Sequence, residues 1–543
     1  MKREVNMVIV SDLHLPLDTV EGDVCFMGKK ALKRLRICPE DAEARIFRRS
    51  VDARRRGDVH FVYSVAVTGS FSPAVLEAIR KRQYPGIALA ETAEPQFPMG
   101  TERLPAPPVV VGAGPAGLFC ALMLAEHGYT PILLERGGSV EERKEAIARF
   151  NNLRILDPET NIQFGAGGAG TFSDGKLVTR VNDPLTAYVM KTFVRFGAPR
   201  DILTLAKPHI GTDILSGVIS AMLAEITRLG GEVRYHTRLD DMVIFGDSVT
   251  AAVTGAGEIP AGALLLATGH SARDTYRMLM RHGLPLTAKA FSVGVRVEHL
   301  QSDIDEALYG RFAGHPALGH AEYHLSHNTH ERGVYSFCMC PGGQVVAATS
   351  EIGGVVVNGM SNHARDGKNA NSAIAVSVFP TDFGGTPMGA MAFQTEIEAA
   401  AFRAGGGNYA VPLVTLGDFL TGKCNVSPTR VQPTYMGGDT YRIASPDEYL
   451  PGFVSAALRD AFPAFGKKIR GFDCPDAILS GAETRTSAPI RILRGEETRT
   501  VPGYRNLYPM GEGAGYAGGI TSAALDGIRT AIALMSVYAP IQS

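Results

Sequence analysis

The chain has 543 residues, with 54 Lys and Arg against 55 Asp and Glu and a formal net charge of −1. Such a length suits about three domains. The near-neutral balance removes any global drive toward nucleic acid or an anionic membrane, and 45% hydrophobic with 20% charged residues is the composition of a globular protein rather than a disordered one.

The N-terminus carries Asp12, Asp18 and Glu21 within its first turns of chain. It lacks the apolar core and small-residue cleavage site of a signal peptide. Seven cysteines are too few for a disulfide scaffold. A cytoplasmic location without a membrane partner is the expectation. VNMVIV predicts a first strand, a basic helix follows near Lys29–Leu35, and AEARIFRRSV and DVHFVYSVAV predict two more strands. This small α+β unit is basic, with sixteen Lys and Arg against eleven Asp and Glu over residues 1–90. Arg48, Arg49, Arg54, Arg55 and Arg56 are read chiefly as a solvated face, and secondarily as a footprint for RNA or a protein partner. Asp12-Leu13-His14 after the first strand has the D-x-H form of a two-metal phosphoesterase motif. No G-N-H follows at usable spacing, so no metal is assigned. Residues 92–107 hold four prolines and read as a linker.

From Val109 the pattern becomes α/β. A strand VVVGAG leads into a helix reaching about Gly128, and TPILLE forms the next strand. Gly112-x-Gly114-x-x-Gly117 lies at the turn between strand and helix, and Glu135 ends the second strand. Gly112 permits the tight turn, Gly114 lets backbone approach a pyrophosphate, and Gly117 lets the helix pack on the strand. Pro115 and Ala116 open the helix, whose N-terminus faces the diphosphate. Glu135, followed by Arg136, is placed to accept from ribose hydroxyls. This reading also accounts for the uncharged run Val109–Ala125, which is a buried strand and helix rather than a membrane span. A second glycine loop holds Gly165, Gly167, Gly168, Gly170 and Gly175, with Thr171, Ser173 and Lys176 among them. Such a loop lets backbone amides approach a planar or anionic group. DILSGVISAMLAEITRLGG predicts an amphipathic helix, followed by strands ending in Ala267-Thr268-Gly269. Residues 286–475 alternate short strands with Gly and Pro turns and read as a substrate or cap region. The tail returns to strand, Gly511-Glu512-Gly513, and a helix from about Thr521 preceded by Gly518, Gly519 and Ile520.

The order of these elements resembles the two-motif FAD fold of glutathione reductase-like flavoproteins, with Glu512 where Gly-Asp is usual. The stretches VVVGAGPAGLFCALMLAEHG, NIQFGAGGAGTFSDGKLVTR, KPHIGTD, ATGHSARDTY, GVYSFCMCPGG, NGMSNHARDGKNANSAI, ETRTSAPIRI and GEGAGYAGGITSAALDG together resemble the uncharacterised bacterial FAD-dependent dehydrogenases of the NAD(P)/FAD-dependent oxidoreductase superfamily. The resemblance spans nearly the whole chain and implies FAD and oxidoreductase chemistry. The expected fold is α/β: a Rossmann-like FAD-binding domain in two parts (108–285 and 476–543), an inserted β-rich substrate or cap domain (286–475), and the α+β N-terminal domain (1–92).

Candidate chemistry falls on four residues. His270, after a buried strand, is either a general acid/base or a turn residue near the diphosphate, with Arg273 as a diphosphate contact. His209 in KPHIGTD is a candidate for the substrate side, and Lys176 for the flavin edge. Cys338 and Cys340 form a C-x-C that reads as packing, as a substrate-lining thiol at Cys338, or as a redox pair. Arg365, Asn369, Asn371, Arg485 and Arg491 are candidates for binding a carboxylate, with Glu483 as a structural partner of Arg485. The expected function is FAD-dependent dehydrogenation or reduction of a small organic substrate. With no second G-x-G-x-x-G after a strand, NAD(P)H is expected only as a transient reductant. The alternatives are a flavin monooxygenase, or a flavoprotein that binds RNA or protein through its N-terminal unit.

Overall fold

The computed structural model describes residues 6–55, 57–90, 97–179, 183–329 and 331–540. Arg56 and the first part of the proline-rich linker (residues 92–96) lie outside them. The chain forms two compact units, one of residues 1–96, 199–208 and 305–321, the other of residues 97–198, 209–304 and 322–543.

The smaller unit is built on an antiparallel sheet of β1 (Asn6–Leu15), β2 (Glu43–Asp52), β3 (His60–Gly69) and β4 (Ile87–Leu89), in the order β2-β3-β1-β4. Helix α1 (Glu21–Arg34) begins well before the predicted Lys29. Val24, Gly28 and Leu32 recur every fourth residue as its buried stripe, and Glu21, Asp23, Lys33 and Arg34 complement its dipole. Gly28 allows close approach: a Cβ there would lie 2.5 Å from Cγ1 of Val65 on β3. Helix α2 (Pro73–Arg80) is capped by Ser72, which accepts from the Val75 amide, and opens on Pro73.

In the larger unit, a five-stranded sheet runs Leu507–Pro509, Ala263–Leu266, Pro108–Val111, Ile132–Leu134, Glu232–Arg234, with every neighbouring pair parallel. Four of its short strands are apolar because both faces are covered, while the edge strand Glu232–Arg234 is charged and partly exposed. Helix α3 (Pro115–Glu126) is buried along almost its whole length, and the C-terminal helix Ile520–Val537 packs against it so closely that a Cβ on Gly527 would sit 2.1 Å from the carbonyl oxygen of Ala116. The cap region differs from expectation in strand length. Its seven-stranded sheet contains two ten-residue strands, Phe291–Leu300 and Asn369–Val378, paired along their full length. Both faces of these strands are buried, so even Asn369, Asn371 and Ser372 are inside, and no polar/apolar alternation marks them. Ile478–Glu483 pairs with Phe291–Leu300, so this sheet runs past residue 475. Among the described residues, no helix is long and apolar enough to cross a membrane.

Candidate cofactor and active site

The strand Pro108–Val111 ends at Gly112, where φ is +103° and a Cβ would lie 2.4 Å from the Ala267 carbonyl oxygen. A Cβ on Gly117 would lie 1.8 Å from the Gly112 oxygen, so only glycine seats α3 on the strand. Gly114 is the N-cap and makes no side-chain cap. The first-turn amides therefore leave the helix end unpaired by the helix itself, with the positive end of its dipole. The second glycine loop folds onto this turn. The Gly167 amide donates to the Ala113 carbonyl at 2.9 Å, and a Cβ on Gly168 (φ +64°) would come within 2.9 Å of Gly114 Cα. Fully buried Arg143 fastens the loop from inside, donating to the carbonyls of Asn161, Ile162 and Ala166 at 2.8, 2.6 and 2.8 Å.

These segments open onto one cleft of about 350 Å³. Its walls gather Gly112, Gly114, Pro115 and Ala116 from the first motif, Glu135 and Arg136 from the second strand end, and Gly168, Gly170, Ser173 and Lys176 from the second loop. Gly269, His270, Glu512, Gly518, Gly519 and Ile520 complete it. Gly117, Gly167, Thr171 and Gly511 stand behind the wall and shape it. The Thr171 carbonyl accepts from Thr212, and the Gly511 amide donates to Asp526 at 2.7 Å. Asp526, which sequence reading missed, is held low against the effect of its burial by Arg494 and Arg499. The Glu135 carboxylate is fixed at the cleft by the amides of Ala113, Gly137 and Gly165 at 2.8, 3.0 and 2.9 Å. A carboxylate oxygen accepts more than one hydrogen bond, so Glu135 keeps capacity for ribose hydroxyls. Arg136 lies 4.0 Å over the Phe164 ring and pairs with Glu159 and Asp274. An elongated dinucleotide fits this donor set: an acid at the ribose, a cradle without Cβ atoms at the diphosphate, and a second helix N-terminus, at Ile520, farther along.

Several expected roles change. Arg273 does not line the cleft. It is buried in ion pairs with Glu398 at 2.8 Å and with Glu351, and bonds Gln394, so its guanidinium is taken up away from the cleft wall. His209 is also absent from the cleft wall; its ring faces the His363 carbonyl at 3.0 Å and stacks on the His363 ring. His270 does line the cleft, but burial, with Arg485 and Arg273 nearby, pushes its pKa down to about 3. Burial and the two guanidinium groups therefore favour its neutral imidazole. Its Nδ1 meets Ser271 Oγ at 2.9 Å. Arg485 reaches the cleft, yet its partner is Glu398 rather than Glu483. Arg365 is held by Asp174 and Glu322, Asn369 by Glu298, and Asn371 by Arg296. Arg491 donates to the Gly515 carbonyl.

The other end of the cleft concentrates titratable groups: Lys176, Cys338, Glu483 and Glu512. A bulge breaks the strand Gly333–Cys340, with φ +46° at Cys338, so the two sulfurs do not follow simple strand alternation. Cys338 faces the cleft, while Cys340 turns to buried Arg296, whose Nη2 lies 3.5 Å from its Sγ. Both are free thiols. The neighbouring Cys340 thiol, which donates to the Cys338 carbonyl at 3.4 Å, lowers the Cys338 pKa to about 6 against burial, helped by Arg296 and Lys176. Burial pushes Glu512 up to about 7 against Lys289, and Glu483 up to about 7 against Arg296, which sits 3.2 Å away. Arg296 and the proton-holding role of Glu483 went unseen in the sequence, because Arg296 lies in a continuously buried strand and its partners come from residues 338–340 and 483.

Comparison with known proteins adds the family. Residues 290–486 match the profile described as "FAD-dependent protein, C-terminal domain-like", and residues 7–68 match a domain of unknown function (DUF8436). A protein of Clostridium beijerinckii, described as an uncharacterized protein, is 44% identical over 527 residues, covering 96% of this chain and 97% of its own. The chain belongs to the same family as this clostridial protein. The cofactor is FAD. Solved structures overlap more loosely. An L-amino acid deaminase from Proteus vulgaris matches at 12% identity and a TM-score of 0.24, over 38% of this chain and 63% of that one. CtdE in complex with FAD matches at 10% identity and a TM-score of 0.33, over 79% and 84%. The amino acid oxidase NikD matches at 12% identity and a TM-score of 0.32, over 79% and 96%.

Proposed function

We propose that the protein is an FAD-dependent oxidoreductase, a dehydrogenase or reductase, acting on a small organic molecule at the Cys338 end of the cleft. FAD, when bound, supplies two-electron acceptance and donation. The observation that carries the reading is the single cleft. It joins the Gly112–Gly117 turn and Glu135 to a cluster of titratable groups beside the N-terminus of Ile520–Val537.

The chain's own residues have distinct tasks. Glu135 and the Gly114 turn hold and orient the dinucleotide. The positive end of Ile520–Val537 favours negative charge developing beside it. Glu512 and Glu483, each pushed up to about 7, hold a proton near neutral pH, where general acids work best. Cys338, lowered to about 6, presents a thiolate beside them. Lys176 adds a cation whose Nζ is anchored on the Met339 carbonyl and lies 3.8 Å from Asp174. This end suits a substrate that exchanges a proton together with its electrons. NAD(P)H is proposed as a transient reductant, without a dedicated domain.

Anaerobic titration with NADH and with NADPH, followed by a panel of small organic acceptors, tests this. The expected result is bleaching of the flavin absorbance by one nicotinamide and its return with a specific acceptor. A flavin that no nicotinamide reduces, and that no small organic donor reduces either, would contradict the assignment.

A further inference from the structure

We propose that the smaller unit carries a divalent-cation site formed by His14, His60 and Asp52, with the nitrogen-rich donor set that suits zinc. The sheet builds it. Asp52 on β2 lies directly opposite His60 on β3, and His14 on β1 lies opposite Val62, two residues from His60. Residues two apart on a strand share a face, as do directly opposed residues, so all three side chains stand together on one face of adjacent strands. The register break between Val10 and Leu13, with φ +63° at Asp12, sets His14 in this position. One donor atom from each of the three lies within 4.8 Å of the others.

The hydrogen bonds around the two rings decide the chemistry. Nδ1 of His14 faces Nε2 of His60 at 2.8 Å. The outer nitrogens both point at acceptors: His14 Nε2 meets Asp12 Oδ1 at 2.8 Å, and His60 Nδ1 meets the Asp58 carbonyl at 3.1 Å and its carboxylate at 3.3 Å. An acceptor draws the ring proton to its own side. In the tautomers that put each ring proton on its outer acceptor, the two inner nitrogens turn lone pairs toward each other, and a positive centre between them relieves the repulsion. Carboxylate and carbonyl partners on the outer nitrogens are also how metal-bound histidines are held. Asp52 contributes a negative oxygen, oriented by Arg54 Nε at 3.0 Å. The His14 side chain is 44% exposed, which leaves room for water as a further ligand. Two imidazoles, one carboxylate and water form a set that zinc accepts. A zinc ion with bonds of about 2.0–2.1 Å needs the two nitrogens to separate by roughly half an ångström, a small shift for an exposed side chain.

The test uses the full-length FAD-loaded protein, stripped with chelator and titrated with ZnCl₂ by calorimetry, with metal content read by mass spectrometry. The expected result is one zinc per chain, bound at least about tenfold more weakly in each of His14→Ala and His60→Ala and weakened in Asp52→Asn. Zinc should raise the melting temperature of the wild type and not of H14A/H60A, and FAD content should be the same in all variants. A folded wild type that takes up no zinc would overturn the site. So would binding that persists in H14A/H60A and vanishes in Cys338→Ala/Cys340→Ala, or a histidine pair that only shares a proton.

Discussion

Two buried charge clusters meet along the chain at Glu483 and Arg485 and behave in opposite ways. In the first, Glu398 sits between Arg273 and Arg485, at 2.8 and 3.1 Å, with Glu351 as a further acid on Arg273. Every charge has an opposite, and Arg273 and Arg485 hold the Glu398 carboxyl far below its usual range despite burial. In the second, Arg296, Lys176 and Lys289 reach Cys338, Glu483 and Glu512, but at the two carboxyls burial outweighs them. Arg296 is shared among Cys338, Cys340 and Glu483, so burial prevails and both carboxyls are pushed up to about 7. Ion pairs that outweigh burial fix structure; acids whose burial outweighs their partners keep protons that move near neutral pH.

The largest effect is expected from breaking the balanced cluster. Glu398→Gln leaves two guanidinium groups buried without their carboxylate and should cost about 3–5 kcal/mol of stability, read by urea denaturation. Because the folded carboxyl titrates below its unfolded value, its contribution is complete above the usual carboxylate range and is lost as the pH falls below it. The wild type should therefore lose stability in acid more steeply than E398Q.

The unbalanced cluster has the opposite sign. With FAD removed, folded Glu512 keeps a proton between 4.5 and about 7 that the unfolded chain has released, so stability falls as pH rises through that window. Glu512→Gln should flatten this fall by about 1–3 kcal/mol, measured by unfolding at pH 5 and pH 8. Equal slopes in the two proteins would place Glu512 in the balanced class.

A smaller effect separates the two thiols. Alkylation of Cys338, followed by mass spectrometry, should be half-maximal near pH 6. Cys340→Ala should move that midpoint up, because the Cys340 thiol is the main support of the thiolate. A Cys338 midpoint at the ordinary thiol value of about 8.5 would show that the sulfur is not activated.

The cofactor end of the cleft was legible in the sequence because its constraints are local. Gly117 must clear the Gly112 oxygen within one strand–turn–helix, and Glu135 follows at a fixed distance. The Cys338 end was only partly legible. Lys176 and Cys338 were singled out and line the cleft, but His209 and Arg273 were drawn elsewhere by His363 and Glu398, 154 and 125 residues away along the chain. His270 was placed well, yet its basicity depends on burial and on Arg485, which spacing does not reveal. The long strands Phe291–Leu300 and Asn369–Val378 escaped notice because they are buried on both faces and carry polar residues inside. The His14–His60 pairing depends on the bulge at Asp12, which brings together three strands that sequence order separates.

The measurement that tests the central claim most directly is the visible spectrum of the purified protein beside that of Gly168→Val, a variant that would push a side chain toward Gly114. The structure predicts flavin bands in the wild type, about one FAD per chain released intact on denaturation, and most of that FAD lost in the folded variant. A colourless wild type that takes up no FAD, or a variant that keeps its flavin unchanged, would contradict it.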